Sequence, residues 1–223
     1  MTVTQLPARL FRWLLVSGLM ALAALGLAGR RDLPMLNAYL VALAGVALVA
    51  VFLVDPEMAR ERLRRGQKGI DPVRLGLIRV AVLVHFVVAL LDIGRFHWSD
   101  SVPRILQVAT FLVLAGAVSW VLWAVSVNRF FVPVIRIQSE RGHHVVSSGP
   151  YSFVRHPGYA GTVIATPASA AALGSWWALV PALAASLLFV RRTADEDRFL
   201  REHLEGYARY AEQVPYRLLP GVW

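Results

Sequence analysis

Cysteine is absent from all 223 residues. That excludes disulfides, thiolate metal sites, iron–sulfur clusters and a cysteine nucleophile. Acidic residues are scarce, with 14 Asp and Glu against 23 Lys and Arg, for a net charge of +9. In a soluble chain this excess would point to nucleic acid. Here the charges sit in short segments between apolar runs, where membrane proteins carry their topology signals, so no nucleic-acid partner is expected. The phosphate-binding loop Gly-x-x-x-x-Gly-Lys, the Gly-x-Ser-x-Gly nucleophile elbow and a strand-led Gly-x-Gly-x-x-Gly are all missing. His143 and His144 have no carboxylates at a metal-ligand spacing such as His-Glu-x-x-His, so no metal site is expected. No polar stretch is long enough for a separate soluble domain, and no 20–50-residue repeat is present.

What is abundant is apolar sequence, 57% of the chain. It is gathered into runs long enough to cross a bilayer, which takes about 20 residues. Lipid offers no hydrogen bonds, so each run must be helical. The runs cover residues 10–28, 36–54, 75–93 and 105–127. A fifth apolar region, 159–190, is too long for one span. It contains Pro167, and "LGSWW" reads as a turn with interfacial tryptophans, so a helical hairpin meeting near Gly174 and Ser175 is expected. The fold class is an all-α integral membrane protein with five to six membrane helices. Residues 1–127 supply the N-terminal spans and 128–223 a functional core, together one membrane domain. The strongest basic loop, 55–74, holds Arg60, Arg62, Arg64, Arg65, Lys68 and Arg74 and is expected to be cytoplasmic. Counting spans then puts the N-terminus, the segment 128–155 and the C-terminal tail on that side. In the tail, Phe199, Leu200, Leu204, Tyr207, Tyr210, Ala211 and Val214 recur at helical spacing. They predict a cytoplasmic amphipathic helix starting near Thr193 and ending before Pro215, with Gly206 as a weak point.

Two polar clusters flank the hairpin, which would bring them together. In "GPYSFVRHPGYAG" (149–161), Gly149-Pro150 signals a turn. His156 precedes Pro157, a residue suited to the first turn of a helix, so His156 falls at an N-cap. A helix start with Arg155 beside it favours an anionic ligand group. Tyr151 and Tyr159 offer aromatic faces, and Gly161, Ala165 and Ser169 form a small-residue row suited to helix packing. Taken singly, each has an ordinary reading: Arg meets lipid phosphate, His-Pro starts a helix, Tyr lines an interface. In the second cluster Arg192 and Glu196 lie four apart, which by itself describes a surface ion pair. Glu196 leads the tail's apolar stripe and so turns toward the membrane body, while Asp197 points elsewhere. His85 and Asp92 share one face of the third run and are further candidates, because ionisable residues inside a span are functional by default.

The stretch 143–159, "HHVVSSGPYSFVRHPGY", followed by the hairpin, "RTADEDRFL" (192–200) and "YARYAEQVPYR" (207–217), resembles the isoprenylcysteine carboxyl methyltransferase family. It also resembles the wider group that includes phospholipid N-methyltransferases. The resemblance implies a membrane methyltransferase that uses S-adenosylmethionine without a Rossmann domain. It implies an acceptor that is lipidic or small and hydrophobic, reached from the membrane. It implies cofactor contacts from His143, Val145, Gly149, Tyr151, Arg155, His156, Pro157, Tyr159, Glu196 and Asp197, with Arg192 and His156 in catalysis. Arg192 would orient the acceptor, and Asp197 stands where the family often has a second Glu. The other readings of the same polar clusters are a small transporter or lipid-binding scaffold, or a sterol-reductase-like enzyme using NADPH.

Overall fold

The computed structural model describes residues 6–54, 56–63 and 69–223; Arg64, Arg65 and Lys68 of the basic loop lie outside the described residues. Every regular element among these residues is helical. Five helices are long and apolar enough to cross a membrane. They are α1 (Leu6–Ala28), α2 (Pro34–Leu53), α4 (Pro72–Leu91, extended by a π-helical turn at Asp92–Phe96), α5 (Arg104–Val127) and α7 (Trp176–His203). The short α3 (Pro56–Leu63) lies between α2 and α4, and α8 (Tyr207–Gln213) follows α7. The 17 residues of α6 (Pro157–Leu173) form the shorter arm of the expected hairpin. Its turn is Gly174, at φ +91°, where the chain needs a left-handed residue. Ser175 caps α7 by accepting from the Ala178 amide at 3.1 Å.

α6 packs against both α5 and α7, and α4 packs against α7. Gly161 lies where an added Cβ would be 2.5 Å from a Val121 methyl and 2.8 Å from the Ala117 carbonyl oxygen. The small-residue row therefore lets two backbones approach. Pro167 sits inside α6 and has no N–H for the carbonyl of Val163. The Ser186 hydroxyl of α7 donates to that carbonyl at 3.0 Å, which answers the polar group the proline frees.

The intramembrane candidates are structural fastenings. The buried Asp92 accepts from the Ser99 amide at 3.0 Å and from the hydroxyls of Ser99 and Ser175, each at 2.5 Å. It thereby ties the end of α4 to the hairpin turn. His85 Nε2 lies 2.8 Å from the Ser169 hydroxyl of α6.

The tail departs from expectation in one respect. The amphipathic stripe is real, and Leu204, Tyr207, Tyr210, Ala211 and Val214 pack together with Leu200, Val145 and Ile137. It is not one separate helix, however. The membrane helix α7 runs unbroken through Arg192 and Asp197 to His203, and Gly206, at φ +80°, then turns the chain into α8. Continuous backbone hydrogen bonding from the apolar arm makes a new start at Thr193 unnecessary, so the break comes at the glycine.

Candidate active site

Pro157 starts α6, and the backbone N–H groups of Arg155 and His156 donate to the carbonyls of Tyr216 (2.9 Å) and Arg217 (3.0 Å). The tail thus folds back onto the Arg-His-Pro corner. Asp197, 0% exposed, is the hub of this corner. Its Oδ1 accepts from Arg155 Nε at 2.7 Å and from the Tyr207 hydroxyl at 3.0 Å, with His156 Nε2 at 3.3 Å. Its Oδ2 accepts from Arg155 Nη2, Arg201 Nε and Arg217 Nε at 3.2, 3.2 and 3.0 Å. Arg155 Nη1 donates to the Val214 carbonyl at 2.7 Å. Burial and the neighbouring Asp197 push the Tyr207 hydroxyl far above its usual pKa, so it stays a proton donor. Both oxygens of Asp197 are saturated by the protein, and so is most of Arg155.

Glu196, one residue earlier on α7, faces the other way. Arg192 and Glu196 do not pair directly. The Tyr159 hydroxyl stands between them, accepting from Arg192 Nε at 2.9 Å and donating to Glu196 Oε2 at 2.6 Å. Arg192 is 2% exposed. Its remaining nitrogens donate to Asp71 Oδ2 at 3.1 Å and to the Pro133 carbonyl at 2.6 Å. Asp71 also caps α4 by accepting from the Arg74 amide, and Arg74 pairs with Asp195. One guanidinium therefore joins the start of α4, the strap following α5, and both arms of the hairpin.

The strap 128–148 closes the site. Asn128 ends α5 and donates to the Tyr151 hydroxyl at 2.9 Å, while the Tyr210 hydroxyl donates to the Tyr151 carbonyl at 2.6 Å. Gly149, at φ +60°, turns the chain against Trp123 and Val127. The Gln138 amide donates to His143 Nδ1 at 3.3 Å, which leaves Nε2 as the protonated nitrogen of the neutral ring. Burial, helped by the charges of His144, Arg136 and Arg141, lowers the His143 pKa to about 4.

These elements enclose a cavity of about 620 Å³, within the range of small-molecule sites. Its wall carries the polar side chains of His143, Tyr151, His156, Tyr159, Glu196 and Tyr207, together with apolar ones: Leu75, Ile78, Val82, Leu83 and Phe86 of α4, Val121 of α5, and Phe130 and Phe131. Val145, Arg155 and Arg192 also reach the wall. Gly149, Pro157 and Asp197 do not: the first two shape the chain and the third holds the corner. Sequence reasoning placed the strap in the functional core but missed the α4 wall and gave no role to Asn128 or Gln138. One available signal was Arg79, a charge inside the third apolar run that also lines the cavity.

A helical bundle with five candidate membrane spans and a cavity lined by both polar and apolar side chains is the architecture of a membrane protein in which water-soluble and lipidic groups can meet. The model of the isoprenylcysteine carboxyl methyltransferase family matches residues 107–202. A probable protein-S-isoprenylcysteine O-methyltransferase of Oryza sativa subsp. japonica is 33% identical over 137 residues, 60% of this chain and 69% of the rice protein. The cobalt-zinc-cadmium resistance protein CzcN of Cupriavidus metallidurans is 31% identical over 144 residues, 64% of this chain and 62% of that protein. Protein-S-isoprenylcysteine O-methyltransferase B of Arabidopsis thaliana is 26% identical over 106 residues, 47% of this chain and 54% of its own length. The chain belongs to the isoprenylcysteine carboxyl methyltransferase family and is an integral membrane methyltransferase.

Proposed function

We propose that the chain transfers a methyl group from S-adenosylmethionine to the carboxylate of a lipidic acceptor such as an isoprenylated cysteine, at the cytoplasmic side of the membrane. The observation that carries this reading is one cavity whose wall combines His143, Tyr159 and Glu196 with an apolar stripe of α4. Family membership adds methyl transfer, and the names of the rice and Arabidopsis relatives add the acceptor class. The basic loop 55–74 supports the cytoplasmic assignment.

The polar residues of the wall fit the cofactor by their donor set. Glu196 has one oxygen committed to Tyr159, which leaves the other for an ammonium group or ribose hydroxyls. The His143 Nε2–H donates to an acceptor atom without adding charge. Tyr151 and Phe130 give aromatic surface beside them. When bound, S-adenosylmethionine supplies an electrophilic methyl group for in-line displacement. Arg192 holds Tyr159, and through it Glu196, in one orientation. His156 supports Asp197 and the start of α6. A carboxylate nucleophile needs no general base. It needs position and the removal of water, and the apolar wall of α4 with Phe130 and Phe131 provides the second.

The test is to give membranes containing the protein methyl-labelled S-adenosylmethionine and to characterise the labelled product. An alkali-labile methyl ester on a lipidic acceptor, lost in Glu196→Gln, is expected. A folded, cofactor-binding protein that forms only alkali-stable methyl products refutes carboxyl methylation. A folded protein that does not bind the cofactor refutes the site.

A further inference from the structure

The arginines of the cavity wall differ in how far they are already used. Arg192 is committed to Tyr159, Asp71 and Pro133. Arg155 is committed to Asp197 and Val214, and Arg136 to Glu61 and Glu140. Arg62 lies over the Phe131 ring at 5.2 Å. Arg79 has neither a hydrogen-bond acceptor nor a carboxylate among the described residues, yet it lines the cavity. The wall residues of α4 are Leu75, Ile78, Arg79, Val82, Leu83 and Phe86. They fall at helical spacings of three and four, so they make one stripe. Arg79 is the single charge in that apolar stripe.

Its position suits an incoming amphiphile. Arg79 and Leu83 are exposed while also lining the cavity, so this stretch of α4 faces the surroundings and the interior together. Arg79 lies eight residues beyond Asp71, which touches Arg192, a rise of about 12 Å. A long side chain on a helix leans back toward the N-terminus. That lean directs the guanidinium toward the Asp71 end of α4, where Arg192 is held. A planar fork of donors with no partner, set in apolar surroundings beside a polar reaction site, matches a carboxylate on a hydrophobic tail. Arg192 has no free nitrogen for that task.

We propose that Arg79 seats the carboxylate of the acceptor as it enters along α4 and selects acidic amphiphiles over neutral ones. The proposal rests on the carboxyl-methylation reading and moves acceptor recognition from Arg192 to α4.

The test uses the full chain in phosphatidylcholine nanodiscs, with N-acetyl-S-farnesylcysteine and its carboxamide as probes. Binding is measured by calorimetry, separately from turnover. Wild-type protein is expected to bind the acid at least tenfold more tightly than the carboxamide. Arg79→Gln is expected to weaken the acid about ten- to a hundredfold, with the loss in KM rather than kcat. It should shift the carboxamide less than twofold and leave S-adenosylmethionine affinity in place. Arg79→Lys should recover part of the acid's affinity. Equal weakening of acid and carboxamide, unchanged acid affinity, or loss of cofactor binding in Arg79→Gln overturns the proposal. An acid methylated with the same KM by both proteins removes Arg79 alone. An acid that binds through Arg79 without being methylated removes the carboxyl-methylation reading and leaves the seat standing.

Discussion

Asp197→Asn and Glu196→Gln alter adjacent carboxylates in the same conservative way, and the structure predicts opposite failures. Asp197 is fully buried, with Arg155, Arg201, Arg217, His156 and Tyr207 around it. Asparagine keeps one acceptor oxygen but turns an NH₂ donor toward a guanidinium. Arg155 is then left as a buried cation with no counter-charge. Breaking a buried pair in this way costs about 3–5 kcal/mol, a large part of the roughly 5–15 kcal/mol that holds a domain folded. The damage should be local, because α4 to α7 keep their packing while the tail loses its anchor. Limited trypsin digestion in nanodiscs reads this directly, since Arg209 and Arg217 lie in the released segment. Asp197→Asn should make those sites cleavable, lower the thermal midpoint and lose cofactor binding as a consequence. Glu196 is half-buried and bonded at one oxygen to Tyr159, so glutamine keeps that bond. Glu196→Gln should retain protease resistance and thermal midpoint while weakening S-adenosylmethionine about ten- to a hundredfold, the loss of one charge-assisted contact of about 1.5–3 kcal/mol. An Asp197→Asn protein that stays protease-resistant and loses only cofactor affinity would refute the assignment of Asp197 to the scaffold.

Ser186→Ala should lower stability by about 1 kcal/mol by stranding the Val163 carbonyl in an apolar setting. In a Pro167→Ala background the restored amide takes that carbonyl, so the serine loss should nearly vanish. An equal loss in both backgrounds, measured by denaturation in the same detergent, would contradict the account of the kink. At His143 the ring's pKa is lowered from 6.5 to about 4. Between these values the unfolded chain takes up a proton that the folded chain refuses, so stability falls as pH drops through that window. His143→Gln should flatten this part of a melting-temperature profile taken from pH 7 to pH 4. A variant profile as steep as the wild type's would show that other groups carry the acid loss.

The hydropathy runs placed α1, α2, α4 and α5 within a few residues of their observed ends, because in a bilayer length and apolarity leave one solution. Gly174 and Ser175 marked the hairpin turn for the same local reasons that form it. The site was legible to the extent that motif residues lie on it: His143, Val145, Tyr151, Arg155, His156, Tyr159, Arg192 and Glu196 all reach the cavity wall. What periodicity could not supply was direction. Glu196 and Asp197 are neighbours about 100° apart on a helix, and the inward one is decided by Arg155 and Arg217, which are 42 and 20 residues away. The Arg192–Asp71 contact spans 121 residues and leaves no trace in local pattern. Arg192 read as half of a surface pair because the intervening Tyr159 comes from another helix.

The carbonyls that receive the amides of Arg155 and His156 belong to Tyr216 and Arg217. These residues follow the five membrane helices of the described residues in the order of synthesis. Integration of those helices into the bilayer can therefore precede closure of the Arg-His-Pro corner, which waits for residues 216 and 217 to be made. The order of synthesis thus puts the membrane topology before the cavity wall that depends on the tail.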